Sequence, residues 1–124
     1  MDQVSLSDGE WKIMNVLWKS PPYTITQLVN ELKDETGWSK HTIITMLGRL
    51  ERKEAVYYKQ GERAKQYYPL IYREEIEIQE TNNFLSKVYS GSLKLMLNTF
   101  TSKQPLSKEE RQELYDILKK GDND

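Results

Sequence analysis

The sequence predicts a mostly α-helical fold with one small β-hairpin, ordered as three short helices, the hairpin, and a further helical stretch. Three observations carry this expectation. Capping residues followed by apolar positions three and four apart recur through most of the 124 residues. The apolar period shortens to two over a single segment, around Gly61-Glu62. Charge is also unevenly placed: residues 38–67 hold seven Lys and Arg against three Glu, although the whole chain has net charge −1.

The first helix is expected from about Asp8 to Lys19. Ser7-Asp8-Gly9-Glu10 has capping-box spacing, and Trp11, Met14, Leu17 and Trp18 follow at helical intervals. Pro21-Pro22 stops it. Tyr23-Thr24-Ile25 is β-prone but short. Thr26 is the expected cap of a second helix with the stripe Leu28, Val29 and Leu32, ending near Thr36-Gly37. Ser39 caps a third, whose Ile43, Met46, Leu47 and Leu50 share a face. Val56–Gln60 and Lys65–Leu70 then read as hairpin strands. This order, with the basic block on the third helix and hairpin, is that of a winged helix-turn-helix domain, placed at residues 1–71.

Residues 72–124 differ in character. Tyr72, Ile76, Phe84, Leu85, Val88 and Tyr89 form a loose apolar stripe that Ser90-Gly91-Ser92 interrupts and Leu93, Met96, Leu97 and Phe100 resume. After Pro105, Ser107-Lys108-Glu109-Glu110 opens a last helix with Leu114, Ile117 and Leu118, stopping at Gly121. With only 37% hydrophobic residues in the chain, such stripes need a partner, and the simplest is a second copy. The dimerisation candidates are Ile76, Phe84, Val88, Tyr89, Leu93, Leu97, Phe100, Leu114 and Leu118.

Turning the third helix by about 100° per residue sets His41, Thr45, Gly48 and Arg52 opposite the apolar side. Thr42 and Arg49 lie on one shoulder and Ile44 on the other. Such a face suits a DNA major groove: Gly48 permits close approach, threonine and arginine reach base edges or phosphates, and Ile44 suits a thymine methyl. A solvated helix face is the alternative, although two threonines and a glycine are poor choices for one. His41 fits a bystander or phosphate contact as well as a base reader. On the second strand Arg63, Lys65 and Tyr67 alternate and share a face, consistent with a wing on phosphates. The alternative is a solvated hairpin edge with its tyrosines on the first helix. Tyr68 and Leu70 are expected in the core, as are Trp11, Trp18 and Trp38. The DNA-contact candidates are Ser39, His41, Thr42, Thr45, Arg49, Arg52, Lys59, Arg63, Lys65 and Tyr67.

Composition excludes other classes. With no Cys and one His, disulfides, thiolate metal sites, a cysteine nucleophile and Ser-His-Asp catalysis lack raw material. No metal, cofactor or enzymatic activity is expected. No apolar run approaches ~18 residues, and Met1-Asp2-Gln3-Val4-Ser5 lacks the basic and apolar regions of a secretory signal. A cytoplasmic protein is expected.

Leu6-Ser7-Asp8-Gly9-Glu10-Trp11-Lys12-Ile13-Met14-Asn15-Val16-Leu17-Trp18, Trp38-Ser39 with Thr42-Ile43, Thr45 and Arg49-Leu50, Gln66-Tyr67-Tyr68-Pro69-Leu70, and Phe84–Tyr89 with Gly91-Ser92-Leu93 closely resemble the penicillinase/methicillin-resistance repressor family (BlaI/MecI). The resemblance runs nearly end to end. It implies a homodimeric transcriptional repressor with an N-terminal winged helix and a helical dimerisation domain. It further implies palindromic TACA/TGTA operators at promoters of β-lactamase and other antibiotic-resistance genes, and release by a membrane sensor-linked protease system. Where the family often has Pro-Lys after Trp-Ser, this chain has Lys40-His41. The Asn-Phe bond cut in responsive members aligns with Thr99-Phe100, with the asparagine displaced to Asn98. Copper-responsive relatives carry a cysteine cluster that this chain lacks. Two other readings stand beside this one: a winged-helix protein-interaction module, and a family repressor of non-resistance genes.

Overall fold

A computed structural model of the chain describes residues 4–121. Met1–Gln3, part of the segment read for a secretory signal, lie outside the described residues. The elements run α1 (Asp8–Leu17), α2 (Ile25–Thr36), α3 (Lys40–Arg52), β1 (Val56–Gln60), β2 (Lys65–Pro69), α4 (Arg73–Tyr89), α5 (Leu93–Lys103) and α6 (Lys108–Gly121). The molecule is mostly helical with one antiparallel hairpin, as expected. Among the described residues, no helix is long and apolar enough to cross a membrane.

The chain divides into two compact units, residues 1–80 and 81–124. In the first, Ser7 and Glu10 form the capping box of α1: the Ser7 N–H donates to Glu10 Oε1 (2.8 Å) and the Glu10 N–H to Ser7 Oγ (3.2 Å). The cap of α2 is Thr24, two residues before the expected Thr26. Its partner is Gln27, which makes the reciprocal pair of bonds that Thr26 has no equivalent residue to complete. Gly37, at φ 65°, closes α2 by donating to the Lys33 carbonyl (2.9 Å). Ser39 caps α3 as expected, accepting from the Thr42 N–H (3.2 Å).

Ile13, Met14 and Leu17 of α1, Leu28 and Leu32 of α2, and Ile43, Leu47 and Leu50 of α3 make the core, with Ala55 and Val56. The three tryptophans pack against it, half-buried. Trp11 and Trp18 meet edge to face at 5.9 Å, and Trp18 Nε1–H donates to the Ile71 carbonyl (2.9 Å). Gly9 lets α1 lie close on α3, since a Cβ there would come within 2.7 Å of Met46 Cε and 3.3 Å of the Trp38 ring.

The hairpin pairs Val56 with Pro69, Tyr57 with Tyr68 and Tyr58 with Tyr67. Tyr23, in the short β-prone segment, joins its open side: the Tyr67 N–H donates to the Tyr23 carbonyl (2.8 Å) and the Tyr23 N–H to that of Tyr67 (3.1 Å). Residue 67 is thus held between two extended segments, and its ring faces inward with the buried Val56.

The first unit extends past the expected end at Ile71. Ile76, at the end of the first turn of α4, is 4% exposed and belongs to this core, and Gln79 Nε2–H donates to the Val4 carbonyl (2.6 Å). The second unit comprises the end of α4 with α5 and α6. Ser90 and Gly91 (φ 53° and 80°) terminate α4, the Gly91 N–H donating to the Leu85 carbonyl (2.8 Å). Ser92 caps α5. Ser107 and Glu110 form a capping box at the start of α6, where a last helix is expected to open. Neither α5 nor α6 has a buried residue.

Candidate nucleic-acid interface

The outward side of α3 carries the residues the helical wheel assigned to it. His41, Ile44, Thr45, Arg49 and Arg52 are exposed, with Thr42 and Gly48 half-buried at the edges. Ser39 and Thr42 are partly occupied with each other, their hydroxyl oxygens 3.2 Å apart at the cap. The Thr45 hydroxyl donates to the His41 carbonyl (3.0 Å), which leaves its oxygen lone pairs free to accept. Among the described residues, Lys40, His41, Arg49, Arg52 and Arg63 make no side-chain hydrogen bond or ion pair within the chain.

Gly48 has no internal reason to be glycine. A Cβ there would meet only Arg52 Nη1, at 3.7 Å, which is ordinary contact. Glycine within a helix costs about 1 kcal/mol relative to alanine, so the position favours something that approaches from outside.

The hairpin supplies three of the expected cations. Arg63 is exposed in the turn that Gly61 closes on the Ala64 carbonyl (2.9 Å). Lys59 Nζ lies 5.4 Å from the Tyr68 ring centre, and Lys65 Nζ 4.3 Å from that of Tyr58. Both lysines are exposed residues with their amines set over aromatic rings.

Tyr67 is a correction. It does share a face with Lys65, but this is the inward one: Tyr67 is 4% exposed and its ring lies against Tyr58 (5.6 Å). Burial, then the neighbouring Glu51 carboxylate, push its hydroxyl up to about 12. Tyr68, expected in the core, takes the opposite face, stacked on the exposed Tyr57 at 5.1 Å, and Leu70 is 49% exposed. The parity is set by Val56, whose burial brings Tyr67 to the core side through the register, while Tyr58, paired with it, stays exposed.

Lys53 also leaves the basic surface. Its ammonium donates to Glu10 Oε1 and to the Ser5 carbonyl (2.7 Å). Glu10 is 1% exposed, with Oε2 buried and unpartnered among the described residues. Burial raises its carboxyl, but Lys53 and the Ser7 N–H outweigh burial and hold it below the ordinary 4.5. The capping glutamate of α1 thus anchors the C-terminal end of α3, a role its local spacing does not reveal.

Of the dimerisation candidates, Ile76 is corrected to the core of the first unit. Phe84, Val88, Leu93, Leu97, Phe100, Leu114 and Leu118 are each between 39% and 66% exposed. Tyr89 is half-buried, its ring edge-on to Phe84 at 5.9 Å. Thr99 and Phe100 both lie exposed within α5.

Three helices followed by a two-stranded wing, with an unencumbered polar face on the third helix, define a winged-helix protein. The chain belongs to the penicillinase repressor family, whose model matches residues 6–120. It is 32% identical over 115 residues to the methicillin resistance regulatory protein MecI of Staphylococcus aureus, spanning 93% of this chain and 94% of that protein. It is 35% identical over 118 residues to the penicillinase repressor of Bacillus licheniformis, spanning 95% and 92%. The first of these relatives is a regulatory protein by name and the second a repressor. Among solved structures it resembles the DNA-binding domain of the repressor BlaI (TM-score 0.54, 33% identity, 60% of this chain and 93% of that one). The Bacillus licheniformis BlaI monomeric form in complex with the blaP half-operator gives a TM-score of 0.52 at 33% identity, with the same coverage. A MarR variant from E. coli, 18% identical, covers 94% of this chain and 77% of its own with a TM-score of 0.52, a likeness of fold alone.

Proposed function

We propose that this chain is a homodimeric transcriptional repressor that binds palindromic operator DNA of TACA/TGTA type through α3 and the wing. The carrying observation is the outward side of α3, where His41, Thr45, Arg49 and Arg52 are exposed around a glycine with no packing role. A relative at 33% identity was solved with its half-operator, which supports the same use of this face. Ser39, Thr42, Lys59, Arg63 and Lys65 complete the contact set, the lysines and Arg63 serving phosphates. Two winged helices on a two-fold axis read a mirrored pair of half-sites. The exposed apolar residues of α4, α5 and α6 supply the second-copy contact. Antibiotic-resistance promoters are the expected targets, and chain cleavage at Thr99-Phe100 the expected means of release. The domain division is placed after Glu80, one turn of α4 beyond Ile76, in place of 71.

A gel-shift against the DNA upstream of the protein's own gene tests the reading, with a scrambled duplex as control. The expected result is a discrete complex that weakens steeply with salt, since each phosphate contact contributes a log–log slope of about −0.9. Equal binding to the scrambled duplex, or a flat salt response, overturns it.

A further inference from the structure

One feature of α3 is unsuited both to solvent and to the protein core. Ile44 is 44% exposed, although it stands on a helix whose other outward side chains are polar or charged. Gly48 lies one turn further along the same side, and a Cβ there would meet only Arg52 Nη1, at 3.7 Å. An exposed β-branched residue and a helix-interior glycine each weaken a helix. Among the described residues, Ile44 belongs neither to the core nor to the hydrophobic residues packed against it. Side by side, Ile44 and Gly48 leave an apolar side chain next to bare helix backbone, with the free His41 one turn before.

We infer that Ile44 and Gly48 form a shallow apolar notch that takes the C5-methyl group of one thymine in each half-site, making Ile44 a specificity-determining residue. The inference rests on the operator-binding reading above. The thymine methyl is the one apolar group that a base pair presents in the major groove. A branched aliphatic side chain covers it, and the missing Cβ at residue 48 lets the base edge come close. Thr45 and Arg49 then serve polar edges or phosphates around it.

The test is a palindromic TACA/TGTA duplex in which each thymine in turn, in both half-sites, is replaced by deoxyuridine, removing only the methyl group. Binding is measured for the full-length wild type, Ile44→Ala and Gly48→Ala. Circular dichroism should show all three equally folded, because both sites are open and alanine favours helix. One position should weaken wild-type binding about fourfold per half-site, the fold-change for burying one methyl group, or about fifteenfold with both substituted. Ile44→Ala should lose most of that discrimination. Gly48→Ala, with its notch filled, should bind thymine more weakly than wild type and recover on uracil. Parallel effects in wild type and Ile44→Ala, or no sensitive thymine, overturn the notch while leaving operator binding intact. If wild type binds the palindrome no better than a scrambled duplex, both readings fall.

Discussion

Replacing Lys53 with methionine isolates what the buried Glu10 contributes. Glu10 is 1% exposed, receives the Lys53 ammonium and the Ser7 N–H on Oε1, and has no partner on Oε2 among the described residues. Deleting one member of a fully buried pair costs about 3–5 kcal/mol. The Lys53 side chain is 37% exposed, so water already screens part of the attraction. The Ser7 bond also survives the change. The expected loss is therefore about 2 kcal/mol near neutral pH.

The pH dependence gives a sharper test. In the intact chain the Glu10 carboxyl is held below 4.5, so it binds fewer protons folded than unfolded. Its stabilising contribution is present above pH 4.5 and is lost as pH falls through the depressed value. In Lys53→Met, burial is opposed only by Ser7, and the carboxyl moves upward. A charged Glu10 then weakens the fold at neutral pH, and protonation relieves it on acidification. Urea unfolding followed by tryptophan fluorescence reads this unit directly, because Trp11, Trp18 and Trp38 all lie within it. The gap between variant and wild type should narrow as the pH is lowered. An unchanged midpoint at neutral pH, or a gap that does not narrow, refutes the argument.

Arg49→Ala and Arg63→Ala should each reduce operator affinity in gel-shifts while leaving circular dichroism and the thermal midpoint nearly unchanged, since both side chains are exposed. Thr45→Ala should change which half-site base is preferred, by about 1–3 kcal/mol in competition binding. Tyr67, raised to about 12, binds its proton more tightly folded than unfolded, so its contribution is complete below pH 10 and lost as pH rises through 12; Tyr67→Phe should show a shallower alkaline loss in urea titrations, by up to about 2–3 kcal/mol. Truncation after Leu70 removes Ile76 from the core and the Gln79 bond to Val4, so a 1–70 fragment should be less stable than 1–80 by about 2–4 kcal/mol, read by urea unfolding. Leu97→Asp, at an exposed apolar position on α5, should lower both self-association in sedimentation and operator affinity in gel-shifts, because dimerisation raises the effective concentration of the second half-site contact.

What the sequence made legible was local. The capping boxes of α1 and α6 and the Ser39 cap need only residues three apart, and all form. The inward and outward sides of α3 follow from helical period: Ile43, Leu47 and Leu50 are buried and His41, Thr45 and Arg52 exposed, with Met46 and Gly48 half-buried. What escaped depends on distant partners. Tyr67 and Tyr68 alternate in any strand, but which one faces inward is decided by the Val56 register and by Tyr23. Ile76 reads as one more position in an apolar stripe, and only the packed core distinguishes it from Phe84 or Val88. Glu10 and Lys53 are 43 residues apart, so nothing local pairs them. The α2 cap differs from the expected Thr26 for a local reason: Thr24 and Gln27 have the capping-box pair of residues, whereas Thr26 is followed at that spacing by Val29.

The basic block illustrates why charge along a chain and charge on a surface are different quantities. Seven cations fall within residues 38–67, but the fold assigns them unequal tasks. Lys53 turns inward to neutralise Glu10, while Lys59 and Lys65 lie over tyrosine rings of the wing. Lys40, Arg49, Arg52 and Arg63 remain without an internal partner among the described residues. A pairing such as Glu10–Lys53 holds one end of α3 in place, so the free residues on its outward side can point away from the protein without contributing to its stability. Those residues include the ones that local physics disfavours, Ile44 and Gly48. Their cost to the helix is carried by the core that Ile43, Leu47 and Leu50 form on the opposite side. A face whose composition weakens the element bearing it, and which that element's own packing does not need, has its explanation outside the chain.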